Sequence, residues 1–71
     1  MEKKITISYD HDADVVYLSF GEPVKAVSEE VEEGVFARYS AETEELAGLT
    51  ILNFSKKFDL RPKELAIPAH R

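Results

Sequence analysis

The stretch SYDHDADVVYLSFGEP, Ser8 to Pro23, admits two readings, and the choice between them decides the fold. Three aspartates and a histidine fall within Asp10 to Asp14, and an apolar run follows at once. The spacing of Asp10, Asp12 and Asp14 matches the opening of a calcium-binding EF-hand loop. The match then stops. That loop needs glycine at its sixth position and glutamate at its twelfth, where this chain has Val15 and Gly21. A helix should also follow, whereas Val15 to Phe20 (VVYLSF) is β-branched and aromatic nearly throughout. The same aspartates suit a tight turn, because their short carboxylates rival backbone acceptors in loops. We read Asp10 to Asp14 as a hairpin loop of four or five residues. Asp10 would accept amides two residues on, and Asp14 would do the same where the second strand begins. Under the alternative reading Asp10, His11, Asp12 and Asp14 are the ligands of a metal-binding protein or a metal-dependent hydrolase.

Outward from this loop the pattern has a period of two. Lys4 to Tyr9 alternates, with Ile5, Ile7 and Tyr9 on one face and Lys4, Thr6 and Ser8 on the other. Val15 to Phe20 reads as a more central strand, ended by Gly21-Glu22-Pro23. Residues 24–33 (VKAVSEEVEE) have valines at helical spacing and also an alternation that suits a short edge strand; the expectation is an irregular or edge segment. Gly34 to Tyr39 is a third strand and Leu46 to Asn53 a fourth, joined by the acidic loop Ser40 to Glu45. Beyond it, Pro62 and Pro68 leave room for about one helical turn, expected to begin at Pro62 and end before Pro68. Phe54, Phe58, Leu60, Leu65 and Ile67 would lay this tail across the sheet. The loops Tyr9 to Asp14 and Tyr39 to Glu44 echo one another thirty residues apart, each a tyrosine followed by an acidic turn. That echo points to two similar hairpins side by side.

Tyr9-Asp10 followed by Ala13-Asp14-Val15-Val16-Tyr17-Leu18 resembles the tyrosine-aspartate, alanine-aspartate, aliphatic-tyrosine-aliphatic signature of the bacterial and archaeal family known as domain of unknown function 2283. Gly34 to Tyr39 with Leu46 to Leu52 is similar to that family's second hairpin. Ser40 stands where the family tends to carry aspartate, and Thr50 where it often carries glutamate. The family has no established activity. Its members are small and often encoded alone or beside small toxin-like proteins, an association that implies an antitoxin-like or partner-binding role.

Composition removes several functions. The chain has 71 residues, no cysteine and a net charge of −5. Disulfides and thiolate metal sites are excluded, and a reducing, cytoplasmic setting fits. An acidic surface repels phosphate backbones, so no nucleic-acid partner is expected. The start, MEKKITISYD, lacks the apolar stretch of a secretory signal, and no run approaches the roughly 20 residues of a membrane span. His11 sits at a loop tip without an evident orienting partner, and His70 beside the C-terminus should fray. Tyr9, Tyr17 and Tyr39 with Phe20 and Phe36 could form a stacking platform, but cross-strand aromatic packing is the plainer reading. No catalytic residue and no cofactor is assigned.

The resulting expectation is an α+β, mostly β, single domain over 1–71. A four-stranded antiparallel meander (about 3–54) carries a short, partly helical tail (55–71) on one face. Its core would be Ile5, Ile7, Val16, Leu18, Phe20, Leu49 and Ile51, with Phe54, Phe58 and Leu65 beneath the tail. Both faces of the second and fourth strands are apolar, and one tail cannot cover both. A homodimer is therefore expected. The functional expectation is a non-catalytic dimeric protein-binding module, with Glu29, Glu30, Glu32 and Glu33 facing a small basic protein.

Overall fold

The computed structural model describes residues 4–58 and 64–71. Five strands form one antiparallel sheet: β1 (Ile5–Asp10), β2 (Val15–Phe20), β3 (Ala26–Glu32), β4 (Val35–Ser40) and β5 (Leu46–Leu52), followed by a single helical turn, α1 (Phe54–Lys57). The spatial order is β1-β2-β5-β4-β3. The expected four-stranded meander is thus corrected on two counts. The segment 24–33 supplies a fifth strand at the edge, and β2 lies beside β5 rather than beside the next strand in the chain. The physical reason is burial. A simple meander would leave β5 at the margin, whereas this order puts the apolar LAGLTIL between two neighbours and wraps the acidic AVSEEVE around the outside.

Two hairpins lie side by side through the β2–β5 pairing, as the internal echo implies. Their turns are built alike. Asp10 Oδ1 accepts the N–H groups of Asp12 and Ala13 at 3.1 and 3.2 Å. Thirty residues on, Ser40 Oγ accepts those of Glu42 and Thr43, both at 3.2 Å. Each turn ends in a left-handed residue, Asp14 at φ 58° and Glu44 at φ 61°. The carbonyl of each is then taken by a later segment, Asp14 by the Phe54 N–H at 3.0 Å and Glu44 by the Arg71 N–H at 2.9 Å. One polar side chain at the turn's start is enough to close it, so serine replaces aspartate without changing the shape.

The core sits towards β4 and β5. Val16, Val35 and Ile51 form one buried cluster, packed by Leu18, Val31, Phe54, Phe58 and Leu65. Ala37, Tyr39 and Leu49 form a second, packed by Phe20, Leu46 and Ile67 among others. Of the expected core, Val16, Leu49 and Ile51 are buried, whereas Ile5 and Ile7 are exposed. Leu65 and Ile67 of the tail pack on these two clusters, neither of which includes a buried residue of β1.

Three further corrections concern the chain beyond β5. The helical turn lies at Phe54–Lys57, directly after Asn53, which takes a left-handed conformation (φ 52°). Residues 64–68 are not helical, and Leu60 and Pro62 lie outside the described residues. The C-terminus does not fray: the Leu46 N–H bonds the Ala69 carbonyl at 2.9 Å, and Glu45 bridges His70 in antiparallel fashion. Tyr39, buried in the second cluster, donates its hydroxyl to the Pro68 carbonyl at 2.9 Å and latches this tail down. Among the described residues the ring contacts are not cross-strand pairs: Tyr9 lies against Phe54 at 5.9 Å and against His11 at 6.5 Å, and Phe54 stacks on Phe58 at 5.1 Å.

Candidate functional site

The Asp10–Asp14 loop is an internal joint. Asp10 holds the turn as described, the Asx-turn expected of it. Asp14 reaches across the fold instead. Its Oδ1 accepts the Tyr9 hydroxyl at 2.8 Å and the Ser55 N–H at 3.0 Å, and its Oδ2 accepts the Ser55 hydroxyl at 2.7 Å. With its carbonyl on the Phe54 N–H, Asp14 caps α1 from another part of the chain, and the N-terminal residue Asn53 makes no side-chain cap of its own. These bonds favour the carboxylate. The Ser55 hydroxyl and then the Ser55 N–H hold the Asp14 pKa below its ordinary value, and the same carboxylate raises that of the Tyr9 phenol.

His11 and Asp12 stand at the solvent-facing tip, with His11 Nδ1 3.5 Å from Asp12 Oδ1. The loop therefore divides its four candidate ligands: Asp10 and Asp14 face internal donors, while His11 and Asp12 face water. No group of three acidic, histidine or cysteine side chains among the described residues is arranged to hold a metal ion.

The acidic residues of the edge strand are exposed, and Glu29 and Glu30 also serve the fold. Glu29 Oε1 pairs with Arg71 Nε at 3.1 Å, which ties β3 to the C-terminus. Glu30 Oε2 accepts the Gly34 N–H at 3.3 Å across the β3–β4 turn. The Glu33 carbonyl takes the Lys57 ammonium at 2.6 Å, so α1 is anchored at this turn as well as at Asp14. Ser55, Lys57 and Arg71 were not singled out from the sequence, because each acts on a partner far away along the chain.

A surface depression of about 340 Å³ is lined by Pro23, Val24, Lys25, Ser40, Ala41 and Glu42. Its one hydroxyl, on Ser40, accepts two turn amides.

The model of a family described as Protein of unknown function (DUF2283) matches residues 6–55. The chain belongs to that family. The DUF2283 match runs from β1 to the second residue of α1, so it spans both hairpins and Asp14 with its partner Ser55. No curated protein and no solved structure matches the chain. No helix among the described residues is long and apolar enough to cross a membrane.

Proposed function

We propose that this chain is a non-catalytic, dimeric protein-binding module of the cytoplasm, antitoxin-like in its manner of working. The observation that carries the reading is the acidic edge strand, set beside a turn in which Asp14 is engaged through both oxygens and Asp10 through one. Glu29, Glu30 and Glu32 lie along an edge strand, with Glu33 next to it, on a chain of net charge −5. A row of this kind steers a basic partner and fixes its register more than it adds raw affinity. Asp14 spends both carboxylate oxygens, and Asp10 its Oδ1, on N–H and O–H groups of the chain itself.

A lysine- and arginine-rich synthetic peptide titrated into isotope-labelled protein tests this. Saturable amide shifts centred on residues 29–33, weakened by salt and lost in a Glu30→Lys/Glu33→Lys variant, support the module. Shifts spread evenly over the surface, or none at all, count against it. The same spectra recorded with calcium, magnesium, manganese or zinc examine the metal alternative. Shifts confined to residues 10–14 at micromolar metal would favour that alternative over the module.

A further inference from the structure

The two hairpins are near-copies, yet their outer edges meet different fates. The outer edge of β4 is covered by β3, and Val35, Ala37 and Tyr39 are 0, 0 and 1% exposed. Their counterparts thirty residues earlier, Ile5, Ile7 and Tyr9, are 61, 68 and 48% exposed on the open edge of β1. The backbone repeats the contrast. The Gly21 N–H donates to the Lys4 carbonyl at 2.7 Å, which sets the phase of the β1–β2 ladder. In an antiparallel pair the bonded positions alternate, so Lys4, Thr6, Ser8 and Asp10 bond towards β2. Ile5, Ile7 and Tyr9 therefore turn their N–H and C=O groups to the free edge. On β4 the Ala41 N–H to Lys25 carbonyl bond, 2.9 Å, sets the same phase and directs Ala37 and Tyr39 to β3.

Exposed edges are normally blunted with charge, proline or a bulge. β3 has such devices, with Glu29, Glu30 and Glu32 and an extra residue at Val31. Between Ile5 and Tyr9, β1 has none: its ladder is regular and Thr6 and Ser8 are uncharged.

We infer that β1 pairs antiparallel with β1 of a second copy about a two-fold axis at Ile7, joining two sheets into one of ten strands. This deepens the dimeric part of the reading above and supplies its geometry. The sequence Lys4-Ile5-Thr6-Ile7-Ser8-Tyr9-Asp10 is complementary to itself in that register. Ile7 meets Ile7 of the partner copy and Ile5 meets Tyr9, in hydrogen-bonded pairs that use the outward backbone groups. Thr6 meets Ser8, and Lys4 meets Asp10, in the intervening pairs where side chains come closest. Opposite charges thus face each other twice. Any shift by two residues would separate Lys4 from Asp10 and move Ile7 off itself. Asp10 uses only Oδ1 for its turn bonds among the described residues, so Oδ2 remains for the lysine.

Hydrogen exchange on the full chain across a concentration series tests the inference, with sedimentation giving the mass. The expected result is a species of twice the 8.0 kDa chain mass. The amides of Ile5, Ile7 and Tyr9 should become protected as it forms, while those of Thr6, Ser8 and Asp10 are protected at every concentration. Ile7→Lys, at an exposed site, should raise the dimer dissociation constant about tenfold or more by opposing two ammonium groups at the axis. Lys4→Glu should weaken the dimer too, less so at high salt. A monomer at all concentrations overturns the inference, as does a dimer protecting Ala26, Ser28 and Glu30 instead. Peptide shifts on residues 29–33 that survive in Ile7→Lys would separate a failed dimer from a failed binding module.

Discussion

Asp14 and Ser55, 41 positions apart, are joined by two kinds of hydrogen bond: the Ser55 hydroxyl donates to Oδ2 at 2.7 Å and the Ser55 N–H to Oδ1 at 3.0 Å. This contact fastens the β1–β2 turn to the start of α1. Through Phe54, which stacks on Phe58 over the Val16–Val35–Ile51 cluster, it also positions the cover of the core. Asp14→Ala removes every one of these bonds and places alanine at φ 58°, where a side chain other than aspartate or asparagine is strained. Asp14→Asn keeps the backbone preference and part of the bonding. Thermal melts should rank wild type above Asp14→Asn and Asp14→Asn above Asp14→Ala. In a double-mutant cycle, adding Ser55→Ala to Asp14→Ala should cost less than Ser55→Ala alone, and strict additivity would mean the two do not interact.

The same contact makes stability depend on pH. The Asp14 pKa is lowered from 3.8 in the folded chain, chiefly by the Ser55 hydroxyl and N–H. A depressed folded value stabilises the native state above the unfolded pKa and is lost as pH falls through the folded one. Urea midpoints should therefore fall below about pH 4, and Asp14→Asn should fall less steeply there. At the alkaline end the sign reverses. The Tyr9 phenol is raised from 10.0, mainly by its bond to Asp14. Its contribution is complete below the unfolded value and is lost as pH rises through the folded value. Absorbance titrations of wild type and Tyr9→Phe should differ by one late-titrating phenol.

Tyr39 holds the carboxy-terminal segment through a single hydroxyl. Tyr39→Phe keeps the ring in the Ala37–Leu49 cluster and removes only the bond to the Pro68 carbonyl. A loss of about 1 kcal/mol in urea unfolding is expected, since one net hydrogen bond is at stake. The amides of Leu46 and Arg71, bonded to the Ala69 and Glu44 carbonyls, should exchange faster. Unchanged exchange at both would show that Tyr39 is not the latch.

Gly48 lies on β5 opposite Ser19 of β2. A Cβ there would collide with the Leu18 carbonyl oxygen, a backbone atom that cannot swing aside. Gly48→Ala gains about 0.4 to 1 kcal/mol by restricting the unfolded chain. Overpacking costs about 1 to 3 kcal/mol, so the net change should be a loss. A urea midpoint equal to or above that of wild type would contradict this packing.

The local features were legible because their causes are local. Alternation in Lys4 to Tyr9 marks a strand, Asp10 closes its own turn, and the Tyr9 and Tyr39 loops have the same shape because they present the same kind of acceptor at the same offset. Residues 24–33 were only half legible. The glutamates and the alternation suit an edge, but Val24, Val27 and Val31 also fall at helical spacing, and only pairing with β4 decides for a strand. The partnership of Asp14 with Ser55 carried no local signal, because the serine that completes it lies after four further strands and turns.

The amino-acid order alone determined four of the five strands, the two matched turns, and the absence of thiol chemistry in a chain without cysteine. It could not determine which apolar triplet lies inside. Ile5-x-Ile7-x-Tyr9 and Val35-x-Ala37-x-Tyr39 have the same period and the same kind of face. Only the strand order, which lays β3 and the tail over one and leaves the other at an edge, buries the second and exposes the first. Burial depends on what arrives from elsewhere in the chain, and period two reports only that a strand has two sides.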